Sequence, residues 1–408
     1  MLQISPPSDG VQIVRVVQPQ ASADEPGGGR GRGHRHVVND RHEFTFDGVF
    51  GPTSAQSEVF ARAVEPQVAA CLQGFNATAF CYGPSGTGKS FTCYGPETPK
   101  GERSSAVHAW ASNPLAGMIP RAAEQLFATI ERGGALSKTR FLLRVSFVQL
   151  YREGLSDLLS TSGKGSDHAP AGGLALREDP HRGVFVEGLT EVAVRTPQEV
   201  WALAAKGQRA RHTAATRLND VSSRSHAVFT VVVEQSVESA DTSTGEEGAL
   251  ASAAMKLSRL NLVDLAGSER AALLGESGDR LEESKKINLS LSALAKVIHT
   301  LVDARGRAVH IPYRDSKLTR ILQDSLGGNC RTAMIACVSP IGLVAEDTLS
   351  TLHFASRAKT IQNHAKVNLQ AGDNAASSSL LAQYEAQLAQ LREQVSARND
   401  ESRAPSSH

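Results

Sequence analysis

No stretch of this chain approaches eighteen consecutive apolar residues, the length a helix needs to cross a bilayer. Residues 1–8 lack a basic segment followed by an apolar one, so neither a membrane span nor secretion is expected. Cysteine is scarce. The five present are an odd number with no Cys-x-x-Cys pair, which argues against a disulfide frame or a zinc site. They read as reduced, mostly core thiols of a cytoplasmic protein. Charge of either sign is not in excess: 43 Lys and Arg stand against 42 Asp and Glu, so the total of +1 names no partner. Internal repeats are absent as well.

What is present suits a large α/β domain: 408 residues, 40% of them hydrophobic and 21% charged, can bury a full core. Residues 11–17, 76–82, 144–151 and 256–264 read as strands from their apolar runs or alternation, and 281–301 as a long helix. Loops are expected at 96–117, 160–173 and 236–253, where Gly, Ser, Pro and acids concentrate. The Gly- and Arg-rich segment 25–35 has no interleaved aromatics. It reads as a flexible surface insertion, and nucleic acid is not an expected partner.

Three stretches carry chemistry. Gly83-Pro84-Ser85-Gly86-Thr87-Gly88-Lys89-Ser90 is a complete G-x-x-x-x-G-K-[ST] phosphate loop placed directly after an expected strand. Its glycines let successive N–H groups turn towards phosphate oxygens, Lys89 adds a point charge, and the Ser90 hydroxyl is suited to Mg²⁺. Asp264-Leu265-Ala266-Gly267-Ser268-Glu269-Arg270 closes the strand 256–264 with an acid that can reach Mg²⁺ through water. Gly267, with no side chain, lets an N–H approach a γ-phosphate, and loss of that phosphate would release the loop. Signalling GTPases share this pair of motifs, but their [Asn/Thr]-Lys-x-Asp guanine reader is missing here, which points away from GTP.

The third stretch, Asn219-Asp220-Val221-Ser222-Ser223-Arg224-Ser225-His226, followed some forty residues on by Asp264 to Arg270, resembles the kinesin motor domain. Further matches follow in that family's order: Ile287-Asn288-Leu289-Ser290-Leu291, His310-Ile311-Pro312-Tyr313-Arg314-Asp315-Ser316-Lys317-Leu318-Thr319-Arg320, Asp324-Ser325-Leu326-Gly327-Gly328-Asn329 and Phe354-Ala355-Ser356-Arg357-Ala358-Lys359. The resemblance runs over 11–368. It implies a central, mostly parallel eight-stranded sheet with three major helices on each face, and ATP with Mg²⁺ as nucleotide and cofactor. It also implies microtubules as partner, a place on the cytoskeleton, and a microtubule-stimulated ATPase whose switch closure docks a neck linker, with plus-end direction. Residue by residue, Ser222 would sit near the attacking water, and Ser223 would join Ser90 and Asp264 around Mg²⁺. Arg224 and Glu269 would pair when the switches close, Gly267 would meet the γ-phosphate, and Glu269 would relay a proton. Lys285, Lys286, Tyr313, Arg314 and Lys317 would meet tubulin's acidic surface.

The chain departs from the family pattern in two places. Where kinesins carry Arg-x-Arg-Pro against adenine, Val16-Val17-Gln18-Pro19 stands, leaving Gln18, Pro19 and Phe91 to contact the base. Leu289 replaces a lysine of the Ile-Asn-Lys-Ser-Leu run, which suggests weaker or retuned attachment. These two departures motivate an alternative, a slow or non-motile microtubule-binding kinesin. The expected organisation is an N-terminal segment 1–10, a motor domain 11–359, a neck linker 360–370, and a tail 371–408. In the tail, Leu381, Tyr384, Leu388, Leu391 and Val395 form a heptad seam too short to hold a homodimer firmly by itself. The chain then reads as a motor head from a longer protein, with any dimer made by sequence beyond it.

Overall fold

The computed structural model describes residues 2–4, 12–17, 41–96, 113–134, 139–160, 174–179, 183–216, 223–237, 255–269, 279–304, 307 and 309–370. The segment 25–35 and the heptad seam lie outside them. Among the described residues the strands are β1 (Leu2–Ile4), β2 (Gln12–Val17), β3 (Arg41–Phe46), β4 (Ala77–Tyr82), β5 (Thr139–Tyr151) and β6 (Gly154–Asp157). They continue with β7 (Leu176–Asp179), β8 (Gly183–Val186), β9 (Val192–Val194), β10 (His226–Val237), β11 (Met255–Asp264), β12 (Arg331–Ala336) and β13 (Leu369–Gln370).

An eight-stranded sheet of order β12-β4-β11-β10-β5-β6 holds the molecule together, with β13 added to β11 and β9 to β5. Alternation along its strands sorts the core onto two faces. Ala77, Ala79, Val145 and Phe147 meet one set of three helices, Glu65–Leu72, Met118–Gly134 and Pro197–Thr216. Phe80, Tyr82, Val148 and Leu150 meet the other set, Asp279–Ala304, Lys317–Ile321 and Ala345–Ala358. The expected eight strands and three helices per face are therefore present. The sheet is mixed, however, and not mostly parallel. Only β12–β4 and β4–β11 pair in parallel, and the remaining pairings are antiparallel. Parallel neighbours need a crossover of a dozen or more residues, usually a helix. β5 and β6 are instead joined by the two residues Arg152 and Glu153, both at positive φ as a tight hairpin turn demands.

A smaller sheet, β1-β2-β3, packs Val14, Val16 and Phe44 against Leu352 of the helix Ala345–Ala358. All five cysteines are buried free thiols, and burial pushes Cys71 up to about 12. No helix among the described residues is long and apolar enough to cross a membrane.

The helix Pro197–Thr216 comes closest to the sheet at Gly207, where an added Cβ would lie 2.1 Å from Cδ1 of Phe147. That ring is fully buried, edge-on to Phe229 at 5.2 Å, and has nowhere to go. Gly207→Ala gains about 0.5–1 kcal/mol of helix propensity but incurs an overpacking cost of about 1–3 kcal/mol, so a net loss of stability is expected. Urea denaturation of the two proteins checks it; a variant as stable as the parent would mean the helix shifts freely on the sheet.

Candidate functional site

β4 is buried along its whole length, and the phosphate loop leaves its C-terminal end to open the helix Lys89–Tyr94. Gly83 has φ +149°, and a Cβ there would fall 2.0 Å from the carbonyl oxygen of Cys337, so no other residue fits. Gly86 and Gly88 also have positive φ, and the space their missing side chains would take is open. Lys89 is buried, its Nζ donating to Pro84 O at 2.8 Å. Burial pulls its pKa below the ordinary lysine range, while the carboxylates of Asp264 and Glu269 push back.

Asp264, at the end of β11, is 1% exposed. Its Oδ2 accepts from Ser90 Oγ at 2.7 Å and from Arg211 Nη1 at 2.6 Å. Among the described residues its Oδ1 is buried with no hydrogen-bond partner. An orphaned carboxylate oxygen beside a serine hydroxyl, two hard oxygen donors at the phosphate loop, suits a hydrated Mg²⁺. Burial works against the charge on Arg211, but the Asp264 carboxylate outweighs it and the guanidinium pKa goes up. Arg211 also donates from Nη2 to Ser225 O at 2.6 Å and from Nε to Ser225 Oγ at 3.1 Å, and Gln149 Nε2 donates to that same hydroxyl at 2.9 Å.

The loop after β11 is pinned one N–H at a time. Leu265 N donates to Cys81 O, Ala266 N to His226 Nδ1, Gly267 N to Ser223 O and Ser268 N to Gly83 O. Glu269 folds back onto the phosphate loop, its carboxylate accepting from Ser85 N at 2.8 Å and Ser85 Oγ at 2.6 Å. Its partner here is therefore Ser85 and not Arg224. A carboxylate drawn onto a loop N–H shows that this loop attracts anions.

The structure brings Gly83 to Ser90, Asp264, Gly267 and Glu269 together, with Ser223 alongside through its carbonyl oxygen. Gln18, Pro19 and Ser222 lie outside the described residues. Phe91 is 43% exposed, consistent with a stacking platform. Val16, at the position of the family's first arginine, is turned into the small core beside Phe44. Lys285 and Lys286 lie on the helix Asp279–Ala304. Arg314 is exposed, and Tyr313 turns its hydroxyl inward to Leu326 O at 2.5 Å. The backbone N–H of Lys317 is capped by Glu153 at 2.7 Å. Sequence reasoning missed Arg211. The available signal was an arginine continuing the buried stripe Val200, Ala204, Gly207 of an amphipathic helix, a place where a charge needs a partner.

A phosphate loop after a buried strand, facing an acid at the end of the neighbouring parallel strand, defines a P-loop nucleotide-binding protein. The kinesin motor domain pattern matches residues 15–361. The chain is 44% identical over 326 residues to "Kinesin heavy chain" of Botryotinia fuckeliana, covering 80% of this chain and 33% of that protein. It is 44% identical over 327 residues to "Kinesin-like protein KIF11" of Mus musculus, covering 80% and 29%. The chain thus spans about a third of the length of these relatives. A solved structure described as that of a fast kinesin superposes with a TM-score of 0.68 at 38% identity, covering 90% of this chain and 89% of that one. A KIF14 dimer with AMP-PNP on a microtubule gives 0.70 at 36%, covering 87% and 88%. The chain belongs to the kinesin motor domain family.

Two predictions follow from the buried charges. Arg211→Ala leaves the Asp264 carboxylate buried without its cation and is expected to cost about 3–5 kcal/mol of stability, part of which Asp264→Asn in the same chain recovers. An effect of Asp264→Asn that is the same in the parent and in Arg211→Ala would show that the pair is not coupled. The second concerns His226, whose pKa burial, with help from the Arg211 and Lys89 charges, lowers from 6.5 to about 3. This contribution to stability is complete above pH 6.5 and is lost as pH falls towards 3, because the unfolded chain takes up a proton that the folded chain refuses. Between pH 7 and pH 5 the parent is expected to lose about 2 kcal/mol more than His226→Asn. Parallel urea titrations at the two pH values decide it, and equal losses would refute the assignment.

Proposed function

We propose that this chain is an ATP-driven microtubule motor domain, a microtubule-stimulated ATPase acting on the cytoskeleton. The observation that carries this reading is the meeting of the phosphate loop, Ser90 and Asp264 at one end of the sheet, while residues 368–370 run beside the start of β11. Asn368 N donates to Gly74 O, Leu257 N donates to Asn368 O, and β13 pairs with Met255 and Lys256. Asn363 fixes the start of this segment, accepting from Gly327 N at 2.7 Å and donating to Cys330 O at 2.8 Å. Residues 11–359 then act as the motor and 360–370 as its neck linker, which supports plus-end direction because the motor precedes its linker.

In this reading the Gly83–Ser90 backbone and Lys89 cradle the β- and γ-phosphates, and Phe91, Pro19 and Gln18 face the base. Ser90, Ser223 and Asp264 would hold Mg²⁺, which when bound draws charge off the phosphates. Phosphoryl transfer needs positioning and charge, not covalent help. Ser222 orients the attacking water, and Gly267 N–H turns from Ser223 O to the γ-phosphate. Glu269 leaves Ser85 for Arg224, closing the switches and relaying a proton. Lys285, Lys286, Tyr313, Arg314 and Lys317 form the tubulin-facing surface. A second reading, slow or non-motile attachment, draws on Leu289, a half-exposed leucine on the long helix where the family has a cation.

Steady-state ATPase titrated with microtubules tests the proposal. Turnover is expected to rise at least about tenfold with microtubules; Lys89→Ala should abolish tight nucleotide binding in a folded chain, and Glu269→Ala should bind ATP but stall before hydrolysis, about 10²-fold slower or more. A low turnover that microtubules do not raise would favour the second reading, and unchanged turnover in Lys89→Ala would refute the phosphate-loop assignment.

A further inference from the structure

His226 has no part in the chemistry assigned above, yet its ring is 2% exposed and engaged at both nitrogens. Ala266 N donates to Nδ1 at 3.0 Å, and Nε2 lies 2.7 Å from Ser290 Oγ. A backbone N–H can only donate, so Nδ1 carries no proton. The neutral ring holds its proton on Nε2 and donates it to Ser290. Ser290 is buried on the helix Asp279–Ala304, which carries Lys285, Lys286 and Leu289. One imidazole thus joins the first residue of β10, the loop that follows β11, and the long helix.

Among the described residues, the helix packs on the sheet through the apolar Leu291, Leu294, Val297 and Ile298. Apolar packing has no preferred direction and tolerates small sliding. The His226 bonds are directional and buried, so losing either leaves a polar group without a partner. The Gly267 N–H lies in the peptide unit next to the one that carries the Ala266 N–H. A turn of the Gly267 N–H from Ser223 O towards a phosphate reorients the chain at Ala266, and a ring held at Nδ1 carries that displacement to Ser290. We infer that His226 is the positioning residue through which the nucleotide loop 265–269 and the helix Asp279–Ala304 sense one another, so that nucleotide state and grip on the microtubule are coupled through a single imidazole. The inference rests on the motor reading above.

Coupling of this kind is reciprocal and can be measured at equilibrium, without turnover. The probe is co-sedimentation of the full chain with microtubules, once in ADP and once in a non-hydrolysable ATP analogue; the ratio of the two dissociation constants is the coupling factor. The parent ratio is expected to be about five or more, and Ser290→Ala should bring it to within about twofold of one, with nucleotide affinity off the microtubule unchanged. His226→Asn keeps an acceptor for Ala266 but is too short to reach Ser290, and should give the same loss, with nothing further in the double variant. Ser290→Thr retains the hydroxyl and should restore the ratio. A ratio that survives both Ser290→Ala and His226→Asn overturns the inference and leaves the motor reading intact. A parent chain that grips microtubules equally in both nucleotides overturns the inference together with the reading it rests on.

Discussion

Asp264 is a carboxylate almost entirely removed from water, and everything around the site is arranged to make that tolerable. Such a charge can remain ionised only with a cation and hydrogen-bond donors in contact. Arg211 supplies the cation from the helix Pro197–Thr216 on one face of the sheet, and Ser90 supplies a hydroxyl from the phosphate-loop helix. Arg211 is itself buried, so it in turn fixes Ser225 at the mouth of β10 and, through that hydroxyl, Gln149 of β5. One acid therefore orders four elements around the end of the sheet. Its unpartnered Oδ1 is the opening that this order leaves for a ligand.

The second constraint is the loop 265–268, whose four successive N–H groups are satisfied by two pieces of chain, Cys81 and Gly83 on one side and Ser223 and His226 on the other. A buried N–H left unmade costs about 1–3 kcal/mol, so none of these groups gives up its partner without a replacement. An anion at the phosphate loop offers a replacement partner at two points. It competes with Ser223 O for Gly267, and with the Glu269 carboxylate for Ser85. Partners that compete for one N–H exclude one another, and the proposed switch would draw on that exclusion.

Part of the frame was legible in the chain because it depends on local pattern. β4 with its glycine loop, β11 ending in Asp264, β2, β5 and the long helix Asp279–Ala304 all lie within a few residues of where apolar periodicity and turn chemistry put them. Strand direction was less legible. It depends on which neighbours a strand finds across long connections, and β10 settles antiparallel between β11 and β5. The partners of Arg211 and Ser290 were illegible for a related reason. Each is an ordinary residue on its own helix and acquires meaning only opposite Asp264 or His226, some 53 and 64 positions away in the chain. Val16 was readable as a departure from the family pattern but not as a core residue, because its burial comes from Phe44 and Leu352 on other elements.

The segment after the helix Ala345–Ala358 shows how the two ends of the sheet can communicate without a dedicated lever. It is held largely by peptide groups, with Asn363 and Asn368 supplying amides that match the carbonyl and N–H groups of loop and strand ends. Bonds of this kind contribute about 0.5–1.5 kcal/mol each, so the docked segment is held by a sum of small terms and is released when a few are lost. The helix that leads into it stacks Phe354 on Tyr82, the last residue of β4 before the phosphate loop, with ring centroids 4.0 Å apart. That contact ties the helix to the strand end from which the loop leaves, so the two are packed as one unit, while the segment beyond the helix is held only by its separate hydrogen bonds.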